Sequence, residues 1–395
     1  MTTVKDLLDR GTVDVIVRKD LEMKLSGKKK LRVKLGIDPS GSDLHIGHMV
    51  VVRKLRQFQE LGHQVVLLFG NFTGQIGDPT GKSDTRAPKT QEQLEQNAKH
   101  YLDQVSKVLD IDKVEVVWNA DWLSKLTFAD VVQLSSLFTV AQMLERDMFQ
   151  TRMKADKPIS MHEFLYPLMQ GYDSVPIKAD VEIGGTDQTF NLLAGRTIQR
   201  GYGLGPQNIV TVPLLEGLDG KKKMGKSEDN YIAVADLPKD MYGKTMSIPD
   251  DLILRYFELV TDVSLEDIEE MAALMKKGEN PRNLKMRLAR ELVTLYHDAD
   301  AAIFAEEQFI KVFSDNKLPD DIPEMIFKEK SMLIVDLLFV SELVSSKSEA
   351  RRLVQGGGVK VDSERVLGIE LEVPISKKGV LIQVGKRRFL IAKTN

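Results

Sequence analysis

RVKLGIDPSGSDLHIGH, residues 32–48, decides the fold: a strand-like apolar run, a stretch of turn-formers, and a histidine pair where a helix should begin. RVKLGI lacks helical periodicity and reads as a buried strand, and DPSGSD is turn chemistry. QVVLLFG (64–70) and KVEVVWN (113–119) repeat the strand pattern, with helical patterns between them. Strands alternating with helices imply a parallel α/β sheet, and ligands on such sheets sit beyond the strand C-terminal ends.

His45 and His48, two of six histidines, therefore fall at a helix N-terminus, where free N–H groups and the positive dipole end suit phosphate. A metal reading lacks ligands, since the chain has no cysteine and no HExxH, and only an i, i+3 pair is present. A structural histidine pair stays open on this stretch alone. Gly47 between them would let a flat ring pack on bare backbone. A second phosphate motif, GDPTGKS (77–83), fails as a P-loop because Ile76 stands where the first glycine is required.

The 395 residues exceed one compact core. Hydrophobic and charged contents of 42% and 29% are ordinary for a globular chain. Absent cysteines exclude disulfides and thiolate zinc sites. No apolar run is long enough to span a bilayer, and Lys5, Asp6, Asp9 and Arg10 interrupt the N-terminus, so a cytoplasmic protein without membrane contact is expected. Net charge is −3, but residues 341–395 hold 6 lysines and 5 arginines against 6 acids. A basic tail on an acidic body suggests a polyanionic partner, although a solvated charged domain reads the same way.

We divide the chain into an α/β domain (1–245), an all-α domain (246–315), a linker (316–330) marked by Pro319 and Pro323, and a small α+β domain (331–395). In the last, Ser346-x-x-Glu349 has the capping-box pattern, GGG (356–358) ends the helix, and VKVDSERV and VLIQVGKRRFLIA read as strands.

KKKMGKS (221–227) packs four lysines into six residues after the strand-like NIVTVPLL. Alone it is a solvated charge run. With the histidine motif upstream on an α/β sheet, the pair resembles the HIGH and KMSKS signatures of class I aminoacyl-tRNA synthetases. HEFLYPLMQGYD then places Tyr166, Gln170 and Asp173 on one helix face, a polar stripe that burial would forbid without a ligand. VEIGGTDQTFN follows as a strand and tight turn. Together these elements are similar to the tyrosyl-tRNA synthetase family, bacterial type with a C-terminal S4 domain, nearly end to end. The neighbouring alternatives are the tryptophan-specific family and a non-catalytic RNA-binding protein on the same scaffold.

The resemblance implies a Rossmann-like catalytic domain, with L-tyrosine, ATP with Mg2+ and tRNA(Tyr) as partners and no protein-ligated metal. It assigns Ser40, His45, Lys82, Arg86, Lys223 and Lys226 to the polyphosphate, His48 and Asp187 to ribose, and Asp38, Gly47, Gly185 and Met224 to the rest of ATP. Tyr166, Gln170 and Asp78 would hold the α-ammonium group, with Gln188, Asn119 and Gly36 beside the amino acid and Asp173 accepting from the phenol. Lys347, Arg351, Arg352, Lys386, Arg387 and Arg388 would contact RNA phosphates. An insertion at about 121–160, with TFADVVQLSSLFTVAQMLER read as one helix, would form a homodimer contact; its apolar residues equally suit an ordinary core. Lys34 stands where many members place a tyrosine as second phenol partner, Leu35 replaces a cysteine near the ribose, and Ser40 replaces a threonine.

Overall fold

The computed structural model describes residues 2–78, 90–313, 322–385 and 388–394. They form two compact units, Met1–Ala302 and Ile303–Asn395. The first is built on a six-stranded sheet: β1 (Asp14–Ile16), β2 (Arg32–Ile37), β3 (Gln64–Phe69), β4 (Val114–Trp118), β5 (Val181–Gly185) and β6 (Asn208–Val212), in the order β1-β6-β5-β2-β3-β4. Five strands are parallel, as expected, and only the short edge strand β1 runs antiparallel, against β6.

The strand order reverses between β2 and β5, and that is where the sheet opens. β2 pairs with β3 along its whole length to Ile37, and β5 with β6 to Gly185. β2 and β5 pair only at Val33–Val181 and Lys34–Glu182. Beyond that rung the strands part, making the crevice that doubly wound sheets use for ligands.

Helices cover the sheet for identifiable reasons. Ile46–Glu60 buries Ile46, Met49, Val50, Val52, Leu55 and Phe58 along one side. Each large apolar side chain so buried contributes about 1.5–3 kcal/mol relative to exposure. Met161–Ile177 and Thr189–Gly201 pack at Gly171 and Gly195. A Cβ on Gly171 would lie 3.0 Å from Gly195 N and 2.7 Å from Ile198 Cδ1, so the helices approach this closely only because side chains are absent.

The helical run from 250 onward joins the same unit through its caps. Lys54, buried in the Ile46–Glu60 helix, donates from Nζ to the carbonyls of Leu7 and Arg10 at 2.7 Å, satisfying the end of the Val4–Asp9 helix. Arg10 in turn donates to the carbonyls of Phe257, Glu258 and Thr261 at the end of Ile253–Val260.

Three sequence readings are corrected locally. The helix read across 127–146 is broken: Thr127 caps Phe128–Ser135 and Thr139 caps Val140–Leu144, each in a reciprocal capping box, and the second box starts a new helix. The stretch read as linker contains β7 (Glu324–Phe327), whose backbone pairs in parallel with the C-terminal strand and overrides its polar surroundings. Each of the two last strand runs is a hairpin: β9 (Val359–Val361) turns into β10 (Glu364–Val366) through Asp362 and Ser363 at positive φ, and β12 (Val380–Val384) returns as β13 (Arg388–Thr394).

In the second unit the sheet order is β10-β9-β12-β13-β7, and β8 (Ser331–Leu333) pairs with β11 (Glu372–Pro374). Val359, Ile382, Val384, Leu390 and Ala392 form its core with Ile334, Leu337 and Leu338 of one helix and Ala350 and Val354 of the other. Ser346 caps the second helix, Lys347–Gln355, accepting from Glu349 N, while the Glu349 carboxylate reaches Ser345 rather than Ser346. No helix among the described residues is long and apolar enough to cross a membrane.

Candidate active site

The gap between β2 and β5 widens into a cavity of about 740 Å³. Its walls are the strand ends Gly36–Asp38 and Ile183–Gly185, the start of the histidine helix, the Tyr166–Asp173 helix face and the lysine loop.

At one end the histidine motif pairs through its backbone with the segment that follows the lysine loop. Ile46 N donates to Ile232 O at 3.0 Å and Val234 N to Leu44 O at 2.9 Å, with a bridge between His45 and Ala233. His45 is the N-cap of the Ile46–Glu60 helix; its N–H donates to His48 Nδ1 at 3.2 Å, and the two rings stack at 3.7 Å. Burial, then the neighbouring His48 and the lysines, drive the His45 imidazole down to about 2; His48, exposed on the cavity wall, is lowered in the same direction by partial desolvation and by Lys226 and Lys223. Both rings are thus neutral donor–acceptors near pH 7. Gly47 keeps this wall flat, since a Cβ there would meet the His45 ring at 3.0 Å.

Lys223 pairs with Asp187 at 3.2 Å, and Lys226 stands 3.9 Å from Asp43, over the turn that carries Ser40 and Gly41. Partial burial lowers the Lys226 ammonium, and Asp43 opposes that. Buried Asn230 shapes the loop, accepting from Gly225 N at 2.9 Å and donating to Asp219 and to Lys223 O. Met224 is anchored by its N–H to Leu215 O at 2.7 Å.

At the other end Asp173 is buried, with Oδ1 accepting from Trp122 Nε1 at 2.8 Å and Oδ2 facing Asn119 Nδ2 at 3.4 Å. Desolvation pushes its carboxyl up to about 7, against the pull of Lys34 and the two donors. Tyr166 donates its hydroxyl to Asp38 Oδ2 at 2.7 Å, and Thr73 donates to Asp38 Oδ1 at 2.7 Å, so the Asp38 carboxylate faces the Tyr166 side of the cavity. Gln188 donates to Asp78 at 2.8 Å. Asn191, one helical turn beyond the Gly185 turn, donates from Nδ2 to both Gln170 and Gln188 at 3.0 Å.

Ser40, His45, His48, Lys223, Lys226, Asp38, Gly47, Gly185, Asp187, Met224, Gly36, Asp78, Asn119, Tyr166, Gln170, Asp173 and Gln188 all line this one cavity. Lys82 and Arg86 lie outside the described residues, as do Lys386 and Arg387. In the second unit Arg351 and Arg352 are exposed on the Lys347–Gln355 helix, Lys347 pairs with Asp336 at 2.7 Å, and Arg388 reaches Glu349 at 3.4 Å. Asn191, Asn230 and Trp122 were absent from the sequence-derived site. They act by bonding to other site residues, and only Asn191, inside the VEIGGTDQTFN stretch, lay where a signal existed.

The family model for tRNA synthetases class I (W and Y) matches residues 26–314, and that for the tyrosine–tRNA ligase SYY-like C-terminal domain matches 315–392. The tyrosine–tRNA ligase of Moorella thermoacetica is 51% identical, covering 97% of this chain and 94% of its own. That of Thermotoga maritima is 52% identical over 97% and 95%. Among solved structures, a C-terminally truncated mitochondrial tyrosyl-tRNA synthetase of Coccidioides posadasii superposes with a TM-score of 0.61 at 26% identity, over 76% of this chain and 90% of that one.

The neutral histidines make stability pH-dependent. Their folded pKa values lie below the ordinary 6.5, so the unfolded chain binds more protons, and stability present above about pH 6.5 is lost as pH falls toward 4. The buried His45 adds at most about 1.4 kcal/mol per pH unit in that window, and the exposed His48 less. Urea unfolding at pH 7 and pH 5 should show a smaller loss for His45→Gln/His48→Gln than for the parent chain; equal losses would mean that both rings protonate within the fold.

Proposed function

The chain belongs to the tyrosine–tRNA ligases of the class I synthetases, and on that premise we propose that its cavity activates L-tyrosine with ATP and passes the tyrosyl group to tRNA(Tyr). The observation that carries the reading is the polarity of one cavity: a buried carboxylate, Asp173, at one end and, at the other, a histidine pair on a helix N-terminus with the loop lysines beside it. An amino acid with a phenol fits the first and a triphosphate the second.

Tyrosine lies with its hydroxyl donating to Asp173 and its ammonium among Tyr166, Gln170 and Asp78, with Gln188, Asn119 and Gly36 around it. A site that pairs the hydroxyl rejects phenylalanine, which leaves the carboxylate unpaired; the tyrosine-specific synthetases are themselves the established example of this discrimination. Its carboxylate oxygen attacks the α-phosphorus of ATP, the bond to the β-phosphate oxygen breaks, and pyrophosphate leaves. The terminal ribose hydroxyl of tRNA then attacks the tyrosyl carbonyl and AMP departs.

No protein nucleophile takes part, so catalysis is positioning and charge stabilisation. ATP enters as its magnesium complex. Gly47, Met224 and Gly185 bracket the nucleoside, and His48 and Asp187 take the ribose. Asp38 orients Tyr166 where the reacting groups meet. Ser40, His45, Lys82, Arg86, Lys223 and Lys226 take the growing charge on the polyphosphate. The exposed arginines of the C-terminal unit position tRNA by phosphate contacts, in a salt-dependent manner. A second copy of the chain covers the apolar surface of the 121–160 insertion, where Phe128 is 84% and Val140 71% exposed. The reaction is cytoplasmic in this reading.

Exchange of labelled pyrophosphate into ATP tests the assignment. Tyrosine should support it and phenylalanine and tryptophan should not; Lys226→Ala should slow it about 100-fold, as loss of a group acting at the transition state does, with tyrosine affinity little changed. Exchange with tryptophan alone would move the chain to the other specificity of the class. Arg351→Glu/Arg352→Glu should leave exchange intact and lower aminoacylation of tRNA about tenfold or more; equal loss of both activities would give the tail a structural role instead. Phe128→Asp should convert a dimer to a monomer in sedimentation, and a parent chain that is already monomeric would remove the dimer.

A further inference from the structure

Lys34 stands where, by the resemblance, many members of the family place a tyrosine, and its side chain is buried without residual exposure. Its Nζ pairs with Glu182 Oε1 at 2.9 Å and donates to Ser174 Oγ at 2.8 Å and to the Gln170 carbonyl at 3.2 Å. Glu182 Oε2 accepts from Ser174 Oγ at 3.3 Å and from Gln207 Nε2. Gly195 makes room for this cluster, since a Cβ there would stand 2.5 Å from Gln207 Nε2 and 3.2 Å from Glu182 Oε2.

An ion pair removed this fully from water is a weak source of stability, because apolar residues of the same volume commonly do as well or better. Its location supplies another reason. Lys34 and Glu182 are the last register pair of β2 and β5 before the strands part, and Glu182 lines the cavity. Gln170 and Ser174, both held by Lys34, flank Asp173 on its helix.

We propose that the Lys34–Glu182 pair is a positioning element for phenol recognition: it clamps the helical turn that carries Asp173 and sets a positive charge behind that carboxylate, in place of a second direct partner for the substrate hydroxyl. The inference rests on the reading that Asp173 accepts from the phenol. Burial pushes the Asp173 carboxyl up, and Lys34 is the largest influence in the opposite direction, ahead of Trp122 and Asn119, whereas Glu182 raises it. Around Asp173 the charged and titratable groups are Lys34 of β2, Glu182 of β5 and Tyr166 of its own helix, the last with Asp38 and Asp78 against it.

The test is the pH profile of tyrosine-dependent pyrophosphate exchange in the full chain. Lys34→Met/Glu182→Gln keeps acceptors for Ser174 and Gln207 while removing both charges. Its KM for tyrosine at pH 7 should rise about five- to tenfold with kcat within about twofold, and recover toward pH 9, the pattern of a carboxyl raised by about one pKa unit. Preference for tyrosine over phenylalanine should fall by the same factor at pH 7. Glu182→Gln alone should move the acid limb of kcat/KM to lower pH, and it decides the matter should the double variant not fold. An acid limb and a KM unmoved in these variants would overturn the proposal. Asp173→Asn separates the underlying reading: if it still prefers tyrosine normally, Asp173 is not the phenol partner, whatever the pair does.

Discussion

β2 and β5 run side by side for two register pairs and then part, and the functional geometry of the chain depends on that divergence. Each strand keeps its other neighbour to its end, so the sheet opens along one seam without losing cohesion. Backbone groups freed at the seam line a cavity, and every described residue assigned to the two small substrates reaches it from a strand end, a helix start, a loop beyond or the inner face of the Met161–Ile177 helix. The last shared rung is a buried charge pair, so the wall behind the opening is held by electrostatics as well as by the ladder.

The cavity keeps its charges apart. At the phosphate end, desolvation and adjacent lysines keep both imidazoles neutral, and positive charge is left to lysines on a loop and to the helix dipole. This suits the proposed reaction, in which charge moves onto a leaving polyphosphate: neutral rings add no fixed charge at the nucleophile, and the loop lysines are the groups proposed to meet the charge as it develops. At the opposite end the polar groups are buried and mutually bonded, with Asn191 tying Gln170 to Gln188 and Trp122 and Asn119 on Asp173. Such preorganised polar groups penalise a ligand that leaves one of them unpaired.

Much of this was legible before the structure. Strands β2, β3 and β4 were visible as short apolar runs, and the motifs at 45–48 and 221–227 and the stripe Tyr166, Gln170, Asp173 carried chemistry that local pattern exposes. Less legible were interruptions made by small local bonds: Thr139 restarting a helix inside an apolar run, or Asp362 and Ser363 turning a strand on itself. β7 was hidden by its polar surroundings, because a strand of four residues draws its stability from a partner far away in sequence.

The amino-acid sequence by itself determined the alternation of strand and helix, the residue types at the two ends of the site and the family to which they point, since these follow from short-range periodicity and spacing. Tertiary structure alone decided what Lys34 pairs with, that Asp38 faces Tyr166, and that Asn191 and Trp122 bond to residues of the cavity wall. The reason is physical: a lysine in a strand run carries no mark of its partner, and Glu182, 148 positions on, becomes that partner only when the two strands pair in register. Burial then turns a pair that would be weak in water into a fixed part of the wall.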